Sequence, residues 1–181
     1  EYSYELGFVR RNFGIDSNNY GRFIAVGTHR FGLTEQFTGE AHGELLGNQQ
    51  TVGLGGVLML PAAGVLSFSL AASHSDKGVG GLLGLGFQRQ SRYFSFGVNT
   101  QLTSQSFVKL GMPSENLAPR QISQAFVNLT TADYGSFSMR YTQQSFREQE
   151  DNEIVSASYV RKVGSLGNLR MSVMRFLSGD A

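Results

Sequence analysis

The sequence predicts an all-β protein, built as an antiparallel up-and-down meander of about 11 strands. Three observations predict this fold. Apolar residues alternate with small or polar residues at a period of two along most of the chain. Short turns separate many of these segments, which leaves no room for crossover connections. No segment has helical periodicity, and no apolar run approaches the roughly 18 residues that a membrane-spanning helix needs.

The first half of the chain contains five of the predicted strands. The opening strand has an apolar row that begins at Tyr2 and ends at Phe8. The strand predicted over residues 20–31 is apolar on both faces, so its facing is left open. Residues 37–45 form the sharpest amphipathic strand, whose polar face carries Glu40, His42 and Glu44. Two further strands are predicted around residues 51–60 and 66–73.

The stretch from Leu83 to Leu102 predicts a complete β-hairpin with a different chemistry on each face. Its turn is the short polar stretch 89–92. One face is apolar and carries Leu83, Leu85, Phe87, Phe94, Phe96 and Val98. The opposite face is rich in Gly, Ser, Asn and Gln, and it includes Gln88, Ser95, Asn99 and Gln101. A soluble sandwich would place charges on that second face, whereas small uncharged polar groups suit the lining of a wet lumen.

The second half of the chain begins with the longest connection, residues 103–120, which has no sustained period. Loops of this length are usually functional or mobile. Strands are then predicted at 122–129, 135–143, 154–162 and 168–176. These four form an internal repeat of two similar hairpins, each with a short turn that ends in Gly.

Connection lengths indicate a membrane barrel. Short connections are predicted at 32–36, 61–64, 89–92, 130–134 and 163–167, and longer ones at 10–19, 74–80, 103–120 and 144–152. The short connection 46–49 is the exception in the long series. Short turns on one rim and longer loops on the other are typical of outer-membrane barrels, and strands of about 8 to 12 residues can cross a bilayer when tilted. The chain is therefore predicted to be part of a transmembrane outer-membrane β-barrel.

This interpretation assigns the two faces to two environments. The apolar face of the hairpin 83–102 is predicted to meet lipid. The polar side chains of that hairpin, together with Glu40, His42 and Glu44, are predicted to face the lumen.

Composition and motifs exclude several classes of function. The net charge of +1 gives no electrostatic footprint for nucleic acid, and the absence of Cys excludes thiolate chemistry. Glu40, His42 and Glu44 could be considered as metal ligands, but same-face neighbours on a strand stand roughly 6.5 to 7 Å apart and a lumen lining already explains them. The Gly-rich stretches lack the Lys and helix of a phosphate loop. We therefore expect no catalytic, cofactor or metal site, and no enzyme.

Three phrases give a more specific resemblance: YSYELGFVRRNFGIDSNNYG, THRFGLTEQFTGEAHGEL and LLGLGFQRQSRYFSFGVNTQ. In this order they resemble the translocation barrel of fimbrial outer-membrane ushers, the chaperone–usher secretion channels, in the segment that follows the plug domain. The resemblance spans essentially the whole chain and is one of pattern and phrase. It implies a barrel of roughly two dozen strands in the Gram-negative outer membrane that secretes and assembles pilus subunits.

The resemblance also implies what the chain contacts. Its partners would be outer-membrane lipid and folded pilus subunits in transit, while periplasmic chaperone–subunit complexes would bind domains outside this chain. Residues 1–181 would be a single piece of that barrel, because the chaperone-binding, plug and C-terminal domains have no counterpart in the sequence. Two alternatives stay open, a passive porin-like channel and a soluble all-β binding module.

Overall fold

The computed structural model describes residues 1–10, 15, 18–110, 119–164 and 167–177. Its β-strands are β1 (Tyr2–Arg10), β2 (Tyr20–Gly32), β3 (Phe37–Leu46), β4 (Gln49–Leu60), β5 (Gly64–Ser75), β6 (Gly78–Gln90), β7 (Phe94–Thr103), β8 (Gln121–Thr131), β9 (Gly135–Ser145), β10 (Asn152–Val163) and β11 (Gly167–Phe176). They form an 11-stranded sheet in which the strand order follows the chain order. The predicted antiparallel meander is confirmed.

Among the described residues, no helix is both long enough and apolar enough to span a bilayer. The chain divides into two compact units. Unit 1 comprises Glu1–Leu58, Phe68–Leu83 and Thr103–Ala118, and unit 2 comprises Met59–Ser67, Gly84–Leu102 and Pro119–Ala181.

In unit 1, strand pairing settles the facing of β2, which the sequence left open. Tyr2 pairs with His29 and Leu6 pairs with Ala25, so the odd-numbered residues of β2 share the apolar face of β1. Thr28 pairs with His42, so the even-numbered residues share the polar face of β3. Directly opposite residues on antiparallel strands point to the same side of a sheet.

One predicted connection is wrong. The longer loop expected at 74–80 is a tight turn, because β5 continues to Ser75 and β6 already begins at Gly78. The hydroxyl of Ser75 accepts a hydrogen bond from the Lys77 amide (3.2 Å), and Gly78 adopts a φ of +98°, which glycine tolerates best. The polar and Gly-rich composition of this stretch is typical of a loop, but pairing with neighbouring strands keeps most of it extended.

Burial shows that few hydrophobic side chains lie inside the described part of the chain. Only Leu46 and Phe107 are buried there, while large apolar residues on the strands are exposed, for example Leu6 (78%), Leu54 (61%) and Met171 (61%). Soluble monomers rarely leave apolar surface of this extent in water. An exposed apolar face on strands of this length is typical of membrane barrels, whose outer face meets lipid.

Candidate functional site

Unit 2 carries a row of small polar side chains that crosses five strands. The register pairs Ser95 with Asn128, Asn128 with Ser138, Ser138 with Ser158, and Ser158 with Ser172. The Asn128 side-chain amide donates a hydrogen bond to the Ser95 hydroxyl at 3.0 Å. We call these five residues the serine row. Each strand from β7 to β11 contributes one member, so the row runs across the strands.

The next row on the same face is more varied. It consists of Gly97, Phe126, Arg140, Ser156 and Met174. Residues from both rows line a cavity of about 520 Å³, among them Asn128, Ser138, Arg140 and Ser158. The face therefore presents exchangeable hydroxyl and amide groups, a single cation in the second row, and the apolar side chains of Phe126 and Met174, which also line the cavity.

The structure brings together the polar residues that the sequence singled out in the hairpin. Ser95, Asn99 and Gln101 lie on the same face of β7, opposite Asn128, Gln124 and Ile122 of β8. The Gln88 Cβ stands 3.2 Å from where a Cβ on Gly97 would lie, so Gln88 shares this face.

The apolar residues of the hairpin lie on the opposite face. The Phe96 ring centroid is 6.0 Å from that of Phe87 and 6.3 Å from that of Phe94, and Val98 pairs with Ala125. Leu83 and Leu85 alternate with glycines along β6 and are exposed. The assignment of the two faces to lipid and lumen stays a prediction.

In unit 1, the three charged or titratable side chains of β3 take different partners. The Arg30 guanidinium donates two hydrogen bonds to the Glu40 carboxylate, at 2.9 and 2.7 Å. His42 lies between the Thr28 hydroxyl (Nδ1 to Oγ1, 2.8 Å) and the Glu44 carboxylate (Nε2 to Oε1, 3.0 Å). The residues that the structure describes contain no group of three or more metal-capable side chains. Glu40, His42 and Glu44 share a face without converging on a point.

The polar face of unit 1 is covered by the stretch that follows β7. We call residues 104–110 the docked segment. Its start exchanges hydrogen bonds with β6, where the Gly81 amide donates to the Ser104 hydroxyl (2.7 Å) and the Ser104 amide donates to the Gly81 carbonyl (2.8 Å). Phe107 follows, only 4% exposed, against Gly80.

Side chains of three strands hold the other half of the docked segment. The Thr51 hydroxyl of β4 donates to the Val108 carbonyl at 3.0 Å, and the Val108 amide donates to the Ser73 hydroxyl of β5 at 2.9 Å. The Leu110 amide donates to the second carboxylate oxygen of Glu44 at 2.6 Å. Glu44, Thr51 and Ser73 are consequently buried to 8%, 4% and 3% exposure.

The sequence analysis singles out Ser95 of the serine row and Glu44 of the docked segment's anchors, but not their partners. The long connection 103–120 was recognised as unusual, but no pattern indicates that Phe107 docks. Asn128, Ser138, Ser158 and Ser172 were not singled out, because their alignment depends on register. Residues 111–118 of that connection lie outside the described part of the chain.

Solved structures share this fold. The chain is similar to a chain of the Escherichia coli P pilus tip assembly intermediate PapC–PapD–PapK–PapG, the PapC usher, with a TM-score of 0.79 and 16% identity over 98% of this chain. It is also similar to two Pseudomonas aeruginosa porins, OpdQ (TM-score 0.58, 16% identity, 97% of this chain) and OccK5 (TM-score 0.57, 18% identity, 92% of this chain). The fold is that of outer-membrane β-barrel proteins.

The chain spans 25% of the matched PapC chain, 57% of OpdQ and 55% of OccK5. No protein-family model and no curated protein sequence matches it. At these identities the likeness concerns the fold.

Proposed function

We propose that this chain is one wall of a protein-conducting channel in the Gram-negative outer membrane, of the usher type, through which folded pilus subunits are secreted and assembled. The serine row carries the proposal. It offers a passing surface many weak hydrogen bonds that water can replace. The usher-like phrases of the sequence support the usher type, and the fold shared with PapC is compatible with it.

In this proposal the chain carries no catalytic group and no cofactor. Lipid covers the apolar face, and folded subunits pass the polar face. Chaperone–subunit complexes bind domains outside residues 1–181. The proposed role is therefore to line the path and to hydrate what moves along it.

A passive porin-like channel is the second candidate, and the matches to OpdQ and OccK5 favour it. Both functions use the same sheet and the same wet face. They differ in cargo, because a porin passes small solutes and needs no pilus system.

We expect bulky side chains on the serine row to block pilus display. The test replaces Ser138, Ser158 and Ser172 together by Trp in the full-length protein, in the strain that produces it. Three indole rings would project into the proposed path, so surface pili counted by electron microscopy should largely disappear while the protein still inserts into the outer membrane.

The control is a matched row on the other face. Met139, Ala157 and Val173 pair in the same way across β9, β10 and β11, one residue away from the serine row. Their replacement by Trp should leave pili intact, because lipid accommodates indole rings. Normal pili in the serine-row variant would overturn the usher proposal. Loss of small-solute conductance without any effect on pili would favour the porin.

A further inference from the structure

The docked segment is held by contacts that can be released together. Each contact at its far end joins one strand side chain to one backbone group, and Phe107 is its one buried hydrophobic side chain among the described residues. Nothing covalent fixes the segment between Ser104 and Leu110, since the chain has no Cys. The segment is therefore attached to the strands by noncovalent contacts alone.

The free energy of docking has terms of opposite sign. Docking buries the Phe107 side chain and forms hydrogen bonds to Glu44, Thr51 and Ser73. Undocking returns the Glu44 carboxylate and the two hydroxyls to water, and hydration of a carboxylate is strongly favourable. Because these terms oppose each other, the balance between the two arrangements is set by a few contacts.

Glu44 is the contact best placed to set this balance. Its two carboxylate oxygens have different partners. Oε1 lies 3.0 Å from His42 Nε2, and Oε2 accepts a hydrogen bond from the Leu110 amide at 2.6 Å. Hydrogen bonds to an ionised acceptor are about twice as strong as neutral ones. His42 is itself held by Thr28. The carboxylate is thus oriented before the segment arrives.

We propose that residues 104–110 form a reversible latch over the polar face of unit 1 and that the Glu44 carboxylate is its catch. The docked latch covers Thr51 and Ser73, and the released latch uncovers them. If the proposed channel function holds, on which this consequence rests, release of the latch clears more of the polar face for cargo.

The latch is tested by chemical labelling, because the chain has no cysteine of its own. Ser73→Cys places a thiol beneath the docked segment, and Ser69→Cys places one on the same face of β5 at a half-buried position. A water-soluble maleimide is applied to each full-length variant in outer-membrane vesicles. We expect the thiol at position 73 to react at least about tenfold more slowly than the thiol at position 69, because reaction at position 73 requires the latch to open.

Two changes should open the latch by different routes. Glu44→Ala removes the catch, and Gly80→Ala places a Cβ 2.2 Å from the Phe107 amide nitrogen. Combined with Ser73→Cys, Glu44→Ala should raise the labelling rate at position 73 about 10- to 100-fold, the effect of losing a hydrogen bond to a charged group. Gly80→Ala should raise that rate by a similar factor, because its Cβ would overpack against the Phe107 backbone.

Both control variants lie on β3. Glu40→Ala removes a carboxylate that binds Arg30, and Gly43→Ala adds a Cβ that meets no described atom within 4 Å. Neither should change the labelling rate at position 73. Equal labelling at positions 73 and 69 in the otherwise unchanged protein would overturn the latch. Unchanged labelling at position 73 after both Glu44→Ala and Gly80→Ala would also overturn it.

A second measurement separates the latch from the channel. Surface pili are counted in the full-length Glu44→Ala and Gly80→Ala variants, which should open the latch, and in the Glu40→Ala and Gly43→Ala controls. Because release clears more of the polar face, the two open-latch variants should display more pili than the two controls. Equal display in all four variants, with faster labelling at position 73 only in Glu44→Ala and Gly80→Ala, would overturn the channel role and leave the latch standing.

Discussion

Val98→Arg should destabilise the folded barrel in a bilayer by about 2 to 4 kcal/mol, whereas Asn99→Arg should cost at most about 1 kcal/mol. The two residues are adjacent on β7, lie on opposite faces and are both exposed in the chain. Burial by protein therefore cannot distinguish them. The larger cost at Val98 follows from the prediction that lipid covers this face.

The measurement is urea unfolding of the full-length protein in lipid vesicles, followed by electrophoretic mobility of the folded form. Gln101→Arg provides a second position on the polar face, and Phe96→Arg a second position on the apolar face. Equal losses at Val98 and Asn99 would remove the basis for assigning the apolar face to lipid. A larger loss at Asn99 would reverse the assignment.

Gly135→Ala should lower the free energy of unfolding by about 2 to 5 kcal/mol, the combined effect of overpacking and backbone strain. Gly135 opens β9 with a φ of +87°, and a Cβ there would lie 2.2 Å from the Val160 carbonyl oxygen and 3.0 Å from the Arg161 Cα. Both neighbours are backbone atoms of β10. Relief of the clash would therefore require β9 and β10 to separate.

Gly164→Ala is the matched control for this prediction. Gly164 also has a positive φ, +54°, but a Cβ there meets no described atom within 4 Å. Only the left-handed strain of about 1 to 2 kcal/mol applies. The same unfolding assay compares the two variants, and similar losses for both would show that contact with Val160 does not limit the close approach of β9 and β10.

The sequence was sufficient to predict the strand order because a period of two is a local property. The row of Tyr2, Leu6 and Phe8 needs no knowledge of the rest of the chain to predict a strand, and short polar turns then leave the antiparallel neighbour as the next partner. The facing of β2 could not be predicted in this way. Both faces of β2 contain apolar residues in the sequence. Only the pairing of Thr28 with His42 shows which face of β2 continues the polar face of β3.

The candidate site was harder to predict from the sequence than the strand order, for a related reason. The serine row depends on the register of five strands. Register depends in turn on the lengths of the turns, which cannot be read from the sequence of any one strand. The docked segment depends on contacts such as Glu44 with Leu110, which are 66 residues apart. Likewise, 74–80 resembles a loop by composition, although most of it is strand.

The serine row also limits how this chain can change in length during evolution. An insertion of one residue inside β9, before Phe137, would move Ser138 to the opposite face and bring Phe137 to the face of the serine row. An insertion of two residues would keep the faces but displace Ser138 from Asn128 and Ser158. Insertions and deletions among related sequences should therefore fall in connections such as 132–134 and 146–151, and the strands from β7 to β11 should keep their lengths.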